Sequence, residues 1–421
     1  MKYIFLFFLY SVTIISQIRY EDYFRDGSLR IDYYRTGNNN TEIVSFKEYK
    51  KETFYSGSKI NLIDNLNLGY HKVKVIDAAS ENVIFTKNYS SLFLEWQKTS
   101  EAKNITKTFE ESISIPYPKN KVKVEFYTRN YENKFDKLFS IEVDPNNYFI
   151  QPVNNEKYSL DTIYFSNEIN KAYDIVFLPE GYTANDSALF KDDCKKYSEF
   201  LFKYEPFNQF KNNINIWSVN SYSEESGADV PADSIWKNTS LNSTYYTFDS
   251  ERYLMTYNFY QVKNIASNAP YDQIVILVNS SKYGGGAIYN FYTTFITRNH
   301  ADEKVFIHEL GHGIAALADE YVDDETYEDY YNLSVEPWEE NITTLVDFES
   351  KWKNEVSSET PIPTPSKKEF LNRIGAYEGA GYVPKKIYRP YQNCIMRTLA
   401  NQNYCTVCEK ALRKVLKYYI D

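Results

Sequence analysis

Two of the four histidines in this 421-residue chain lie four residues apart, with a glutamate directly after the first of them. The three residues are His308, Glu309 and His312, and apolar residues recur around them at helical spacing, at Val305, Leu310, Ile314 and Leu317. This pattern predicts an amphipathic helix that projects both imidazoles from one face, about one turn apart. Chance seldom produces such a pairing in a chain so poor in histidine. The motif is therefore the sequence feature that constrains the fold most strongly.

The same three residues predict a zinc site with a catalytic base beside it. His-Glu-x-x-His on a helix is the zincin signature, and the two imidazoles can hold one Zn²⁺ ion at about 2.0–2.1 Å each. Glu309 would lie near the open coordination position without being a ligand. There it could take a proton from zinc-bound water and pass it to a leaving amine. The alternative interpretation is a helix with two core histidines.

The third zinc ligand is expected among the acidic residues that follow the helix. Metzincins place it ten residues after the first histidine, beyond a glycine, but this position is Ala318 and the glycine is replaced by alanine. Asp319 lies one residue further on, and a helix that ends near residue 317 could return it to the metal. Glu320 is the local alternative. In a gluzincin arrangement, a later glutamate would serve instead, at Glu336 or Glu339.

Met396 is a second candidate element of the site. It is one of three methionines, and it follows a turn-like segment well after the histidine helix. This position is typical of a Met-turn, which forms a hydrophobic floor under the metal. An ordinary core methionine is the alternative.

The four cysteines, Cys194, Cys394, Cys405 and Cys408, are an even number, and three of them lie close together near the carboxyl end. In an exported chain this favours one or two disulfides. A four-cysteine zinc site would need two close pairs, which Cys194 and Cys394 do not supply.

The chain is expected to be a multidomain α+β protein. Residues 1–18 form a short basic start and an apolar run of signal-peptide length, which is too short to span a bilayer. The alternative is that the segment stays uncleaved as an anchor. Alternating short runs predict an antiparallel β-sandwich over residues 19–150. A polar linker, 151–170, then leads to an α/β zincin domain over 171–421. The glycines at 284–286 indicate either a bulged edge strand beside a cleft or a flexible turn.

Composition limits the partners of the chain. Its net charge is −10, with 47 basic and 57 acidic side chains. This argues against a nucleic acid, or a membrane surface once the signal peptide is removed, as the main partner. The expected partner is therefore a protein or peptide substrate, such as a host glycoprotein. The oligomeric state stays open.

In their order along the chain, several short stretches resemble one family, the secreted IgA-peptidase-like metallopeptidases of the clostridial IgA-protease type. The stretches are residues 23–37, 93–96, 115–119, 177–183, 223–229, 308–321, 393–396 and 405–408. The resemblance implies a β-sandwich followed by a metzincin-like zinc endopeptidase domain, and a secreted location. It implies His308, His312 and Asp319 as zinc ligands, Glu309 as catalytic base and Met396 as the Met-turn residue.

A function of another class competes with proteolysis. A tyrosine-rich β-sandwich could recognise an extracellular glycoprotein or glycan, with the zincin domain as an inert scaffold. The intact His-Glu-x-x-His motif weighs against this hypothesis.

Overall fold

A computed structural model describes residues 18–153, 158–323, 330–400 and 403–420. Residues 1–18, the segment expected to be a signal peptide, lie outside the described residues except for the last of them, Ile18. Within the described ranges, no helix combines the length and the apolarity needed to cross a membrane.

The front unit of the chain is built mainly of β-strands. In chain order its elements are α1 (Tyr20–Tyr23), β1 (Phe24–Gly37), β2 (Glu42–Glu52), β3 (His71–Asp77), β4 (Val83–Tyr89), α2 (Leu92–Gln97), β5 (Lys107–Pro118), β6 (Val122–Arg129), β7 (Phe135–Val143) and β8 (Gln151–Pro152).

These strands form two four-stranded sheets, with the orders β5-β1-β2-β8 and β4-β3-β6-β7. All pairings are antiparallel except the short one between β2 and β8. Strand β3 alternates strictly between buried and half-buried residues, which gives it one face for a core. Leu29 and Ile31 of β1 pack in one hydrophobic cluster with Val73 and Val75 of β3. The two sheets therefore share a core.

The rear unit alternates strands and helices. Its elements are β9 (Leu160–Tyr164), β10 (Tyr173–Glu180), α3 (Ser187–Leu201), β11 (Ile214–Val219), α4 (Phe259–Ala266), β12 (Gln273–Val278), β13 (Gly285–Ile288), β14 (Tyr292–Ile296), α5 (Asp302–Ala315), β15 (Tyr377–Ala380), β16 (Val383–Arg389) and α6 (Thr406–Ile420).

Six of these strands form one sheet in the order β13-β14-β12-β10-β11-β9. The central strands β14, β12, β10 and β11 are parallel, whereas both edge strands, β13 and β9, are antiparallel to their neighbours. Every residue of β10 and β12 is buried, as expected for parallel strands covered on both faces. The glycine-rich segment thus forms the β13 edge strand. The expectation of a mixed α+β protein with several sheets is confirmed.

The two units pack closely against each other. On β1, the buried Arg30 side chain forms an ion pair with Asp32, at 2.7 Å, and reaches Asn264 of α4 at 2.9 Å. Helix α2 of the front unit contributes Phe93 and Trp96 to the same hydrophobic cluster that contains the rear sheet. Elements of the front unit can therefore reach a site on the rear unit.

The expectation of disulfides is wrong for this structure, in which all four cysteines are buried thiols. Cys405 and Cys408 have their sulfurs 3.5 Å apart, and those of Cys394 and Cys408 are 3.8 Å apart. A disulfide requires about 2.05 Å.

Helix α5 ends in a tight reversal of the chain. Ala316 has left-handed backbone angles, φ 51° and ψ 34°, and its N–H donates to His312 O at 3.0 Å. The next N–H, of Leu317, donates to Gly311 O at 3.2 Å. The first of these bonds, from the left-handed residue to the carbonyl four residues before it, ends many helices, usually with glycine at the left-handed position. Here an alanine occupies it, and the chain turns back along the helix.

The left-handed alanine makes a testable prediction about stability. Ala316→Gly removes a Cβ that costs an L-residue roughly 1–2 kcal/mol in this conformation. After allowance for the greater freedom of glycine in the unfolded chain, we expect the free energy of unfolding to rise by about 0.5–1 kcal/mol in chemical denaturation. The matched control is Ala315→Gly, a substitution at the last helical residue. It should lower the free energy of unfolding by about 1 kcal/mol. A loss of similar size in both variants would contradict the prediction.

Candidate metal centre

Helix α5 presents His308 and His312 to a cleft, as their spacing predicts. Their rings lie 4.8 Å apart between centroids, at an angle of 80°, and their Nε2 atoms are 3.1 Å apart. Both Nε2 atoms thus converge on one point.

The other nitrogen of each imidazole faces a backbone carbonyl. His308 Nδ1 lies 3.0 Å from Ile395 O, and His312 Nδ1 lies 2.5 Å from Leu317 O. A carbonyl can only accept, so each Nδ1 carries a proton, and each ring in its neutral form keeps its lone pair on Nε2. Metal-binding histidines are commonly oriented in this way.

Asp319 completes the cluster. Its Oδ1 lies 3.2 Å from His308 Nε2 and 3.4 Å from His312 Nε2. This oxygen is buried and faces the two imidazoles, whereas Oδ2 accepts a hydrogen bond from the Tyr382 hydroxyl. Two imidazole nitrogens and one carboxylate oxygen therefore face one another, which is a donor set suited to a divalent metal ion.

The charges of the three side chains depend on one another. Burial by itself lowers the pKa of His312, but the negative charge of Asp319 outweighs it and raises that pKa to about 9. Burial would likewise raise the pKa of Asp319, yet the neighbouring histidines, His312 first, hold it well below its usual range. The carboxylate is thus stabilised by positive charge at the position where the three donors converge.

Glu309 lies at the same cleft beside edge strand β13. A Cβ built on Gly285 of β13 would lie 3.0 Å from Glu309 Oε1, so the absence of a side chain there lets the strand approach the carboxylate. Burial raises the pKa of Glu309. A carboxylate with a raised pKa is better suited to accept and then return a proton near neutral pH.

The other carboxylates considered from the sequence lie away from the histidines. Glu320 points to the opposite side of the chain, where its Oε1 lies 3.2 Å from Cys408 Sγ. Glu336 accepts from the Thr344 hydroxyl. Glu339 lines the same cleft but accepts from the Tyr331 hydroxyl at 3.1 Å. Of these four carboxylates, only Asp319 lies in the described structure within ligand distance of the two histidines.

Met396 packs directly beneath the histidine helix. Its side chain is fully buried, and a Cβ built on Gly311 would lie only 2.7 Å from its sulfur. Because Gly311 lies between the two histidines in sequence, the methionine lies under the turn of helix that carries them.

Several side chains that line or support the cleft were not predicted from the sequence. Tyr382 binds Asp319, and Asn341 holds the returning chain by donating to Ala318 O at 2.9 Å and accepting from Ala318 N at 2.8 Å. Glu95 comes from α2 of the front unit and accepts from Tyr253; burial raises its pKa to about 7. No local motif marks these residues, because each is far in sequence from the group it contacts.

The cleft has a volume of about 580 Å³ and is open to solvent. The front unit contributes Tyr70 and Glu95 to its wall, and strand β13 contributes residues 285–288. Histidine and carboxylate donors at such a cleft, with a further carboxylate beside them, are typical of metal-dependent hydrolases.

Comparison with known families gives a specific result. The model of the IgA peptidase M64 family matches residues 163–374 and 367–416, and that of the amino-terminal domain of M64 peptidases matches residues 19–140. No individual curated protein matches the chain significantly. The chain belongs to the IgA peptidase M64 family, a family of metallopeptidases, and the resemblance noted in its sequence is confirmed.

The contact between Tyr382 and Asp319 makes a prediction about metal affinity. Tyr382→Phe removes the hydrogen bond to Oδ2 that orients the carboxylate. We expect zinc affinity to fall about 10- to 100-fold, measured by competition with a chromogenic chelator. Tyr388→Phe is the matched control, since that tyrosine does not line the cleft, and it should leave the affinity unchanged. Equal affinities for wild type and Tyr382→Phe would show that this hydrogen bond does not support the site.

Proposed function

We propose that the chain is a secreted zinc-dependent endopeptidase. One observation carries the proposal: His308 Nε2, His312 Nε2 and Asp319 Oδ1 lie within 3.4 Å of one another at an open cleft. Glu309 lies beside them. The family supports peptidase activity, and the metal, the roles of the residues and the location are inferred here.

The donors fit zinc. Zinc accepts imidazole nitrogen and carboxylate oxygen, and catalytic sites commonly use three protein ligands with one position left open. Asp319 Oδ1 is buried and faces the two imidazole Nε2 atoms at 3.2 and 3.4 Å, so a cation bound among these three atoms would take the place of the imidazole protons that otherwise balance the carboxylate charge. His308, His312 and Asp319 would hold the ion, and Tyr382 and two backbone carbonyls would orient them.

Glu309 would carry the proton in the reaction. When bound, zinc polarises the scissile carbonyl and makes a water molecule more acidic. The Glu309 carboxylate would accept the proton of that water as it attacks the carbonyl carbon, and would then donate it to the departing nitrogen as the peptide bond breaks. Burial favours the protonated form between these two transfers.

Strand β13 offers a surface for an extended substrate. Gly285 is already bridged to Tyr253, but the rest of β13 lines the cleft at the end of the sheet. An extended peptide could add to such an edge through backbone hydrogen bonds. We therefore propose a protein substrate in extended form, such as a segment of a host glycoprotein.

The catalytic unit would be a metzincin-like zincin over residues 171–421, with Met396 as its Met-turn residue. The close packing of this methionine under Gly311 supports that role. The β-sandwich of residues 19–150 would form part of the substrate cleft, because Glu95 and Tyr70 line it. Export would depend on residues 1–18.

The first test replaces the base. Glu309→Gln keeps the shape of the side chain and removes its ability to accept a proton, so we expect the turnover of a protein substrate to fall at least about 100-fold. The zinc content, measured by inductively coupled plasma mass spectrometry, should stay at the wild-type level. A Glu309→Gln variant that cleaves at the wild-type rate would contradict the mechanism.

A second test separates a protease from a binding protein. We expect wild type to cleave members of a peptide library, read by mass spectrometry, and to lose this activity when a chelator removes zinc. Restored zinc should restore cleavage. A protein that binds zinc and cleaves no member of the library would favour the glycoprotein-binding alternative.

A further inference from the structure

A second group of metal-binding side chains lies on the far side of the returning chain. Cys394, Cys405, Cys408 and Glu320 offer one donor atom each, all within 4.8 Å of one another, and all four residues are buried. Cys194, the remaining cysteine, lies on α3 and is not part of this group.

The distances fit a tetrahedral metal site. Zinc–sulfur bonds of about 2.3 Å place two sulfur ligands about 3.8 Å apart on the edge of a tetrahedron. The observed distances are 3.8 Å between the sulfurs of Cys394 and Cys408 and 3.5 Å between those of Cys405 and Cys408. A sulfur and a carboxylate oxygen would be about 3.5 Å apart, and Cys408 Sγ lies 3.2 Å from Glu320 Oε1.

The local backbone favours thiolates. Cys405 immediately precedes helix α6 and Cys408 lies in its first turn, where the helix dipole stabilises negative charge. The N–H of Cys405 points to Cys394 Sγ at 3.3 Å. The Cys-x-x-Cys spacing brings both sulfurs to one side, and Cys394 reaches them from the segment that carries Met396.

Glu320 is the fourth donor. Its Oε1 accepts from the Asn341 amide at 3.0 Å, while Oε2 is buried and has no hydrogen-bond partner in the described structure. A buried carboxylate oxygen without a partner is costly, and three thiols offer it little compensation. A divalent cation bound by the Glu320 carboxylate would offset this penalty by neutralising its charge.

We propose that Cys394, Cys405, Cys408 and Glu320 bind a structural Zn²⁺ ion, distinct from the ion at His308, His312 and Asp319. With four protein ligands, the site has no open position, as in structural zinc sites. Soft thiolate ligands select zinc over magnesium or calcium.

This ion would brace the catalytic centre. Glu320 directly follows Asp319, and its N–H donates to Met396 O at 2.9 Å. Cys394 precedes Ile395, whose carbonyl orients His308. The structural ion would thus tie the chain that returns from α5 to the segment beneath the histidines and to α6.

Zinc stoichiometry tests the proposal. We expect two zinc ions per chain in wild-type protein purified without reductant, and one in Cys405→Ala. The matched control, Cys194→Ala, removes a buried cysteine outside the group and should keep two. His312→Ala should lose the other ion and retain the thiolate-bound one. Zinc loss from Cys405→Ala thus remains a test of this site even if the proposed catalytic centre is wrong.

Wild-type protein substituted with cobalt keeps the test decisive if Cys405→Ala fails to fold. Thiolate ligands should give intense sulfur-to-cobalt charge-transfer absorption, which imidazole and carboxylate ligands do not produce. Absence of this absorption in cobalt-loaded protein would overturn the proposal. So would a disulfide between two of these cysteines, detected as an intact mass lower by two hydrogens and located by peptide mapping.

Discussion

The reversal of the chain after α5 is the constraint on which two side-chain clusters depend, one of His308, His312 and Asp319 and one of three cysteines and Glu320. Ala316 adopts left-handed angles, and two hydrogen bonds to helix carbonyls close the turn. Within the next few residues, Leu317 O meets His312 Nδ1 and Asp319 reaches both imidazoles. Without this turn, the helix would carry two histidines and no third donor.

Alternation of side chains along the returning segment separates the two clusters. Successive residues of an extended chain point to opposite sides, so Asp319 faces the histidines while Glu320 faces the cysteines. Residues 394–396 run beside this segment and contact both groups, through Ile395 O to His308 and Met396 O to Glu320. A change on one side of the segment should therefore be felt on the other.

The front unit is part of the site rather than an appendage. Helix α2 lies in the same hydrophobic cluster as the rear sheet, and this packing carries Glu95 into the wall of the cleft. The sequence predicted β-strands there, from their alternation, but did not indicate that a helix between two of them lines the cleft that holds the histidines. Its contact with Tyr253 spans 158 residues, far beyond the range of local patterns.

The sequence by itself determined the histidine helix, the glutamate beside its first histidine and the family, because the i, i+4 spacing and the motif are local properties of the chain. It left Asp319 and Glu320 as competing ligands, and it was wrong about disulfides. Only the tertiary structure separated the two carboxylates, because one turn of backbone decides which of two neighbours faces the imidazoles. Likewise, three cysteines near one another in sequence do not show that a distant glutamate completes their group. That follows from the packing of α6 against the returning chain.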